Sequence, residues 1–287
     1  MKPPIYVPVS VFVLFATAFL LERRFPLRNT GTSLFSRLIV NLAFSGLVFL
    51  IAAAVVQPST LSTLQWVSKK PFGLVNLFPI GRAARFIIGF LLLDLSFYYW
   101  HVANHKIPVL WRFHNVHHLD PDLDVSTGFR FHFGEVLFST IFRVLQVAVI
   151  GVPFGTFVCY ELVFQGNTLF EHSNVRLPIR FERILNKVLV TPRMHGIHHS
   201  QIRTEANSNF GVVFSWWDKL HRTIFLNIPQ ASLEIGIPGY SAPHDNKFWQ
   251  AILFPFRRQR DYWRKADGSI PSRSDIAPDR RQSWLAE

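Results

Sequence analysis

Long apolar segments limit what this 287-residue chain can fold into. Residues 5–21 are apolar and end in charge at residues 22–24, and residues 39–56 have only two polar interruptions. Residues 86–100 form a third segment, with a single acid, Asp94. About 18–20 apolar residues suffice for a helix to cross a bilayer. The sequence therefore predicts three transmembrane helices, the first an uncleaved anchor because its apolar run continues directly into charge.

A fourth apolar segment, residues 136–164, is too long for one simple crossing. Gly151, Pro153 and Gly155 interrupt its middle, and proline breaks or kinks a helix because it lacks an N–H. We therefore expect a helical hairpin that turns near Pro153, with each arm shorter than a full crossing. Both ends of such a hairpin return to one side, so the chain before it and the chain after it share one membrane face.

Histidines are concentrated on both sides of that hairpin. The pattern His-x-x-His-His, expected by chance about 0.02 times in such a chain, occurs twice and follows a His-x-x-x-His pair. Residues three and four apart share one face of a helix, and imidazole is a common ligand of iron, zinc, copper and nickel. The boxes therefore predict a metal site on one membrane face. Their eight members are His101, His105, His114, His117, His118, His195, His198 and His199.

Composition agrees with a membrane protein. Hydrophobic residues make up 49% of the chain, charged residues 17%, and the mean hydropathy is +0.21. The net charge of +12 raises nucleic acid as a partner. However, the basic residues lie beside the apolar segments, as expected for contact with anionic lipid headgroups, and we find no nucleic-acid-binding motif. Cys159 is the single cysteine, so neither an intrachain disulfide nor a cysteine metal cluster can form.

Basic residues also predict the orientation. They follow the first helix and flank the last histidine box, so the positive-inside rule places the histidine face in the cytoplasm. Residues 57–85 carry four basic residues and no acid on the opposite side. We expect this stretch to lie along the membrane interface.

These features predict an all-α, polytopic membrane bundle of about three transmembrane helices plus a helical hairpin, with a cytosolic histidine-rich cap. We expect residues 1–83 to provide the anchor helices and interfacial segment, residues 84–225 to carry the histidine boxes, and residues 226–287 to form a cap extension. Beyond residue 256 the chain is rich in arginine and proline, which indicates a solvated basic tail.

The histidine boxes and their surroundings resemble the fatty acid hydroxylase and sterol desaturase superfamily of integral-membrane di-iron enzymes. The resemblance covers roughly residues 90–225, and it implies that residues 84–225 form a fatty acid hydroxylase-like catalytic domain. It rests on HNVHH at 114–118, STGFRFHFGE at 126–135, FEHSNV at 170–175, MHGIHHS at 194–200 and NFGVVFSWWDKLHRT at 209–223.

This resemblance implies two iron ions that activate dioxygen, and the eight box histidines match the family's ligand positions. It adds His172 as a ninth ligand and His132 as a tenth, although Phe133 replaces the usual proline after His132. It also implies a membrane lipid substrate and electrons from a separate reductase or electron-transfer protein, because the chain has no dinucleotide fingerprint or haem-attachment motif. The lipid, and hydroxylation or desaturation as the reaction, remain open.

Four further residues are candidates to support the ligands. Asp94 lies on the helical stripe that leads to His101 and is expected to accept its second N–H. Glu135, Asn174 and Asp218 lie near the boxes in the sequence, where each could bond a ligand imidazole or equally cap a helix. His221 and His244 lie outside every box and are expected to be structural or surface residues.

Two other functions remain open. A zinc hydrolase would need three protein ligands and a water, which ten histidines exceed, and the chain contains no His-Glu-x-x-His motif. A metal-handling or lipid-binding membrane protein without catalysis would keep the same fold. Oxygen consumption that depends on added reductant separates this last alternative from an oxidoreductase.

Overall fold

Helices build the protein throughout residues 6–70 and 72–273, which are the residues that the computed structural model describes. No β-strand forms within these two ranges, so the all-α prediction is confirmed. The α-helices are α1 (Tyr6–Arg24), α2 (Leu34–Ile51), α3 (Gln57–Lys69), α4 (Arg82–Lys106), α5 (Pro108–His118), α6 (Phe133–Ile150), α7 (Phe154–His172), α8 (Ile179–Leu185), α9 (Pro192–His198), α10 (Arg203–Ala206), α11 (Trp216–His221) and α12 (Phe248–Leu253).

Within the described residues, three helical segments are long and apolar enough to cross a membrane, judged by length and composition: Leu34–Asn76, Arg82–Lys106 and Phe133–Ile150. They expose large apolar side chains, among them Leu50, Ile87 and Ile141. Such outward apolar surface is expected where lipid rather than water is the solvent. The segment predicted as the first span is helical as α1, although it is not one of these three.

The second span is longer than its apolar sequence indicated. We expected it to end at Val56, but a π-helical turn, Ala52–Val56, joins α2 directly to α3. This turn lies just before Pro58, whose missing N–H interrupts the regular ladder. Residues 57–69, which we expected in an interfacial stretch, are helical: they continue this helix as α3 and pack against α6.

The predicted hairpin is present as α6 and α7. Gly151 adopts a left-handed conformation (φ +75°) and ends α6, and Pro153 stands immediately before α7. A Cβ on Gly151 would lie 2.1 Å from the carbonyl oxygen of Phe72, so only glycine fits where the chain before α4 packs on this turn. We expected both arms to be too short to cross, but α6 is itself one of the three candidate spans.

Buried ion pairs fasten the N-terminal helices to the loop after α5. The guanidinium group of Arg37 in α2 lies 2.7 Å from carboxylate oxygens of both Asp120 and Asp124. Burial alone would raise the pKa of Asp120, but the charges of Arg37 and Arg130 outweigh it and lower that pKa to about 2. The loop that follows the first His-x-x-His-His box is therefore held from the side of α2.

Candidate metal centre

Nine histidines, eight of them buried and His105 half-buried, come together as two adjoining groups at one end of the helical bundle. Within each group, one ring nitrogen from every member lies within 4.8 Å of the others. The five-histidine group consists of His101, His105, His114, His118 and His198. The four-histidine group consists of His117, His172, His195 and His199. All eight box residues and His172 are therefore brought together.

Each His-x-x-His-His box contributes to both groups. His114 and His118, four residues apart on α5, belong to the five-histidine group, whereas His117 between them belongs to the four-histidine group. The second box does the reverse, because its outer pair joins the four-histidine group and His198 joins the other. On a helix, position i+4 lies roughly 40° from i and position i+3 roughly 60° to the other side. The repeated box thus directs histidines into two neighbouring volumes.

The spacing of the inner nitrogens fits metal ligands. Nε2 of His172 lies 3.0 Å from Nε2 of His117 and 2.9 Å from Nε2 of His195. Imidazole nitrogens bind zinc at about 2.0–2.1 Å, so two of them at right angles around such an ion are about 3 Å apart. In the five-histidine group, both ring nitrogens of His105 and His118 are buried without a hydrogen-bond partner. Buried polar atoms are rarely left unpaired, so metal ligation suits these residues.

The outer nitrogens of five of these histidines are held by acceptors. Nδ1 donates to a backbone carbonyl in His101 (Phe210), His117 (Arg130), His172 (Thr168) and His198 (Ser208), and to the Glu135 carboxylate in His114, over 2.7–3.3 Å. Such bonds fix the ring orientation and leave Nε2 as the lone-pair nitrogen that faces a metal.

The electrostatics of the site keep the imidazoles neutral. Burial first, and then the neighbouring imidazoles, hold the pKa of His118, His195 and His199 well below the ordinary histidine value. Burial likewise lowers the pKa of His198 to about 3. Neutral imidazole is the form that binds metal, so these groups need to lose no proton at neutral pH.

Aromatic rings cover both groups. Trp111 lies over the five-histidine group, with its ring centroid 4.8 Å from His105 and 5.4 Å from His118. Phe131 stacks on His117 in the four-histidine group at 4.7 Å.

The C-terminal segment also packs at this site. Trp263 stacks on Trp111 at 6.0 Å, so the chain does not leave the protein as a tail at residue 257. The predicted basic tail beyond residue 273 lies outside the described residues.

The tenth predicted ligand, His132, is not brought to either group. Its Nδ1 accepts a hydrogen bond from the Gly134 N–H and caps α6, and its Nε2–H donates to the carbonyl of Ile252 in α12. Both ring nitrogens are therefore occupied by the protein itself. His132 joins the start of the hairpin to the C-terminal part of the chain, and the geometry removes it from the proposed ligand set.

Of the four predicted supporting residues, Glu135 alone bonds a clustered imidazole. Its Oε1 lies 2.8 Å from Nδ1 of His114. Asp94 does not reach His101, because its carboxylate accepts from the N–H groups of Trp217 and Phe214. Asn174 pairs with the backbone of Arg28 in both directions. These two residues hold neighbouring segments together and do not orient a histidine directly.

Asp218 acts at one remove from the site. Its carboxylate accepts the backbone N–H groups of Phe210 and Gly211, and the carbonyl of Phe210 is the acceptor for His101. Burial raises the pKa of Asp218, although these hydrogen bonds oppose that effect. Asp218 therefore holds the loop that orients His101.

The sequence did not reveal two kinds of supporting group. Backbone carbonyls such as those of Phe210 and Ser208 carry no residue signal. Glu171 is different, because it directly precedes His172 and its carboxylate lies 3.8 Å from Nδ1 of His172 and 4.0 Å from Nδ1 of His195. The FEHSNV segment had supplied His172 and Asn174 as candidates, but not this acid.

Comparison with known proteins identifies the histidine-bearing region. Residues 86–223 match the family model described as fatty acid hydroxylase. This region belongs to the fatty acid hydroxylase family. The match confirms the resemblance carried by the sequence, and the fatty acid hydroxylase region contains all nine clustered histidines. No solved structure matches the chain significantly.

Several curated proteins resemble the fatty acid hydroxylase region. Ornithine lipid hydroxylase OlsE from Rhizobium tropici is 32% identical over 178 residues, which cover 62% of this chain and 52% of that protein. Cholesterol 25-hydroxylase from Mus musculus is 31% identical, over 48% of this chain and 46% of that protein. Alkylglycerol monooxygenase from Homo sapiens is 29% identical, over 47% and 29%. The chain thus spans about half the length of the first two relatives.

Proposed function

We propose that the protein is an integral membrane oxidoreductase that uses dioxygen to hydroxylate or desaturate a lipid. The observation that carries this proposal is the pair of adjoining buried histidine groups next to apolar spans. The relatives are hydroxylases and a monooxygenase that are named for an ornithine lipid, cholesterol and alkylglycerol. Their names favour hydroxylation over desaturation and a lipid as the substrate.

In this proposal the two groups hold two irons, one each. When bound, the irons would supply the activation of dioxygen that oxidation of an unactivated C–H bond requires, which side-chain acids and bases cannot supply. The protein's own residues orient the imidazoles through their Nδ1 atoms. Trp111, Phe131 and Phe210 surround the histidines with apolar rings and exclude water from them.

The position of the site suits a substrate from the bilayer and electrons from the cytoplasm. His101 and His105 lie in the last turns of α4, and the hairpin of α6 and α7 returns the chain to the same end, where His172 lies. With the basic flanks, this arrangement supports a polytopic chain whose site faces the cytoplasm. A separate reductase or electron-transfer protein would provide the electrons there.

The proposal is tested in membranes from cells that express the full chain, by measuring bound iron and oxidised lipid. His117→Ala removes a member of the four-histidine group, and we expect it to abolish product and lower the iron content. His244→Ala is the matched control, because His244 is an exposed histidine outside both groups. Wild-type protein without iron, or unchanged product from His117→Ala, would contradict the proposal. Iron without reductant-dependent oxygen consumption would favour a non-catalytic metal-handling protein.

A further inference from the structure

Glu171 is a buried acid next to the four-histidine group that has no assigned role. The residue is 1% exposed, and Oε2 of its carboxylate has no hydrogen-bond partner among the residues that the structure describes. Burying a carboxylate without a counter-charge is costly, so an acid in this position needs compensation. Its carboxylate lies within 4.0 Å of ring nitrogens of His172 and His195.

Of these two imidazoles, His195 is the one without an outer acceptor. The Nδ1–H of His172 donates to the carbonyl of Thr168, whereas Nδ1 of His195 has no hydrogen-bond partner within residues 6–70 and 72–273. Nε2 of His195 already faces the other histidines of its group. Glu171 Oε1, 4.0 Å from the Nδ1 of His195, therefore lies on the side where five of the other clustered histidines have their acceptors.

The five-histidine group shows the same arrangement in completed form. Glu135 is buried, its Oε1 accepts from Nδ1 of His114, and its Oε2 has no partner. Each group thus has one buried carboxylate against the outer side of a histidine. A divalent ion held by neutral imidazoles brings positive charge that they do not balance, and an adjacent carboxylate lowers that cost.

We propose that Glu171 is the positioning residue for His195 and the counter-charge of the four-histidine group, as Glu135 is for the other group. This inference rests on the proposed function, because it assumes that the group holds a metal. Binding of the metal pulls the 4.0 Å separation between Glu171 Oε1 and His195 Nδ1 to hydrogen-bond length, about 2.8 Å.

The experiment is an anaerobic Fe²⁺ titration of the metal-free full chain in detergent, against a chelator of known affinity. Loss of such a partner typically weakens metal binding about 10–100-fold. We expect Glu171→Gln to weaken one of two Fe²⁺ sites by that factor, and Glu135→Gln to weaken the other. Glu234→Gln, an exposed glutamate, is the control and leaves both sites unchanged.

Thermal unfolding separates this role from a structural one. If Glu171 only stabilised the fold, Glu171→Gln would lower the Tm of the metal-free protein and leave the increase on adding Fe²⁺ unchanged. We expect the opposite, an unchanged metal-free Tm and a smaller increase. Wild-type protein that binds no Fe²⁺ would overturn the proposed function itself. Two normal Fe²⁺ sites in Glu171→Gln would overturn only the role of Glu171.

A separate observation concerns the C-terminal segment around α12. Helix α12 and the 3₁₀ turn Phe254–Phe256 expose Trp249 (71%), Phe256 (62%) and Leu253 (42%). We call these three side chains the α12 ridge. Lys247, Arg257 and Arg258 flank the ridge and are exposed, and no acid lies between residues 246 and 260.

The ridge lies beside a membrane span and below the polar end of the bundle. The Phe248 ring of α12 packs edge-on against Phe44 of α2 at 5.1 Å. Phe44 lies seven residues, about 10 Å along the helix, from Arg37, which binds the buried acids near the histidine boxes. The ridge therefore faces outward at a depth that lies within the apolar part of α2.

We infer that the α12 ridge inserts into the interface of the bilayer and that its basic flanks bind anionic lipid headgroups. Tryptophan and phenylalanine next to lysine and arginine are the residues that favour this zone. The C-terminal segment thereby gives the metal centre a second attachment to the membrane, in addition to the spans.

The full chain with Trp249→Cys in a Cys159→Ser background is labelled with an environment-sensitive fluorophore and reconstituted in phosphatidylcholine vesicles, with or without phosphatidylglycerol. We expect lipid-attached quenchers to quench the label and aqueous iodide not to. A label at Asp267→Cys, on the same segment, shows the reverse. Arg257→Glu with Arg258→Glu reduces the protection given by phosphatidylglycerol. Equal iodide quenching at both positions would overturn the assignment. Protection of the Trp249 label that depends on protein concentration would also overturn it, because a second copy of the chain would then cover the ridge.

Discussion

The two ring nitrogens of a histidine have different partners at this centre, and the sequence indicates the position of only one of the two. The positions of the inner nitrogens follow from helical spacing, which is why the sequence could predict that all eight box residues lie together. The outer nitrogens bond carbonyls from distant segments, such as Phe210 for His101. Backbone atoms are common to every residue, so composition and motif cannot indicate them. His132 is the opposite case. It lies in a segment that resembles the family, but its Nε2–H donates to the carbonyl of Ile252 in α12, 120 residues later in the chain.

His132 and His118 give contrasting predictions for metal content. We expect His118→Ala to lower the iron bound per protein, since it removes a member of the five-histidine group. His132→Ala should keep the wild-type iron content and lose about 1–3 kcal/mol of stability, because it removes both the cap of α6 and the hydrogen bond to the carbonyl of Ile252. Metal analysis and thermal unfolding of both purified variants check this. Loss of iron in His132→Ala at unchanged stability would restore His132 to the ligand set.

Asp218 predicts a coupled loss of stability and metal binding. Asp218→Ala leaves the N–H groups of Phe210 and Gly211 buried without acceptors, at a cost of about 1–3 kcal/mol for each unpaired group. The freed loop also releases the acceptor of His101, so we expect weaker Fe²⁺ binding in the folded variant. Asp267→Asn, on the exposed C-terminal segment, is the control. Reduced stability with normal Fe²⁺ affinity would show that the loop does not orient His101.

For the secondary-structure elements, the local sequence predicted where the apolar helices lie, but it did not predict that α2 continues into α3. The hairpin turn was predicted because Gly151 and Pro153 act on their own backbone, through a left-handed conformation and a missing N–H. The continuation of α2 into α3 was not, because packing of α3 against α6 stabilises a helix that its polar composition does not indicate. Tertiary contacts between elements decide such boundaries.

The hairpin turn provides a test at this scale. In Gly151→Ala the new Cβ would meet the Phe72 carbonyl at 2.1 Å in a left-handed backbone, and the conformation alone costs about 1–2 kcal/mol. We expect a lower Tm and less protein in the membrane. Gly155→Ala, four residues on, meets nothing within 4 Å and should not be destabilised. Equal Tm values for the two variants would mean that the turn is not tightly packed.

Over the whole molecule, the N-terminal helices take part in building the site. Glu22 of α1 accepts the N–H groups of Val125 and Asn174, on either side of the hairpin. Arg37 of α2 pairs with Asp120 and Asp124. From the sequence we expected residues 1–83 to be a separate anchor. Apolar composition indicates that a helix enters the membrane. It does not indicate that a charged residue of that helix, such as Arg37, pairs with acids in a loop some 85 residues away. The family match begins at residue 86, so it includes the loop acids but neither Glu22 nor Arg37.

These contacts predict that residues 84–225 do not form the metal centre alone. Without α1 and α2, the buried carboxylates of Asp120 and Asp124 lose Arg37, and breaking a buried ion pair by removing one partner costs about 3–5 kcal/mol. We expect the fragment, expressed in membranes, to be degraded by protease and to bind no iron, under conditions where the full chain resists and binds it. In the full chain, Arg37→Met should lower the Tm and the iron content together, whereas Arg24→Met, at an exposed arginine of α1, should leave both unchanged. A protease-resistant, iron-loaded fragment would show instead that the anchor helices only attach the catalytic region to the membrane.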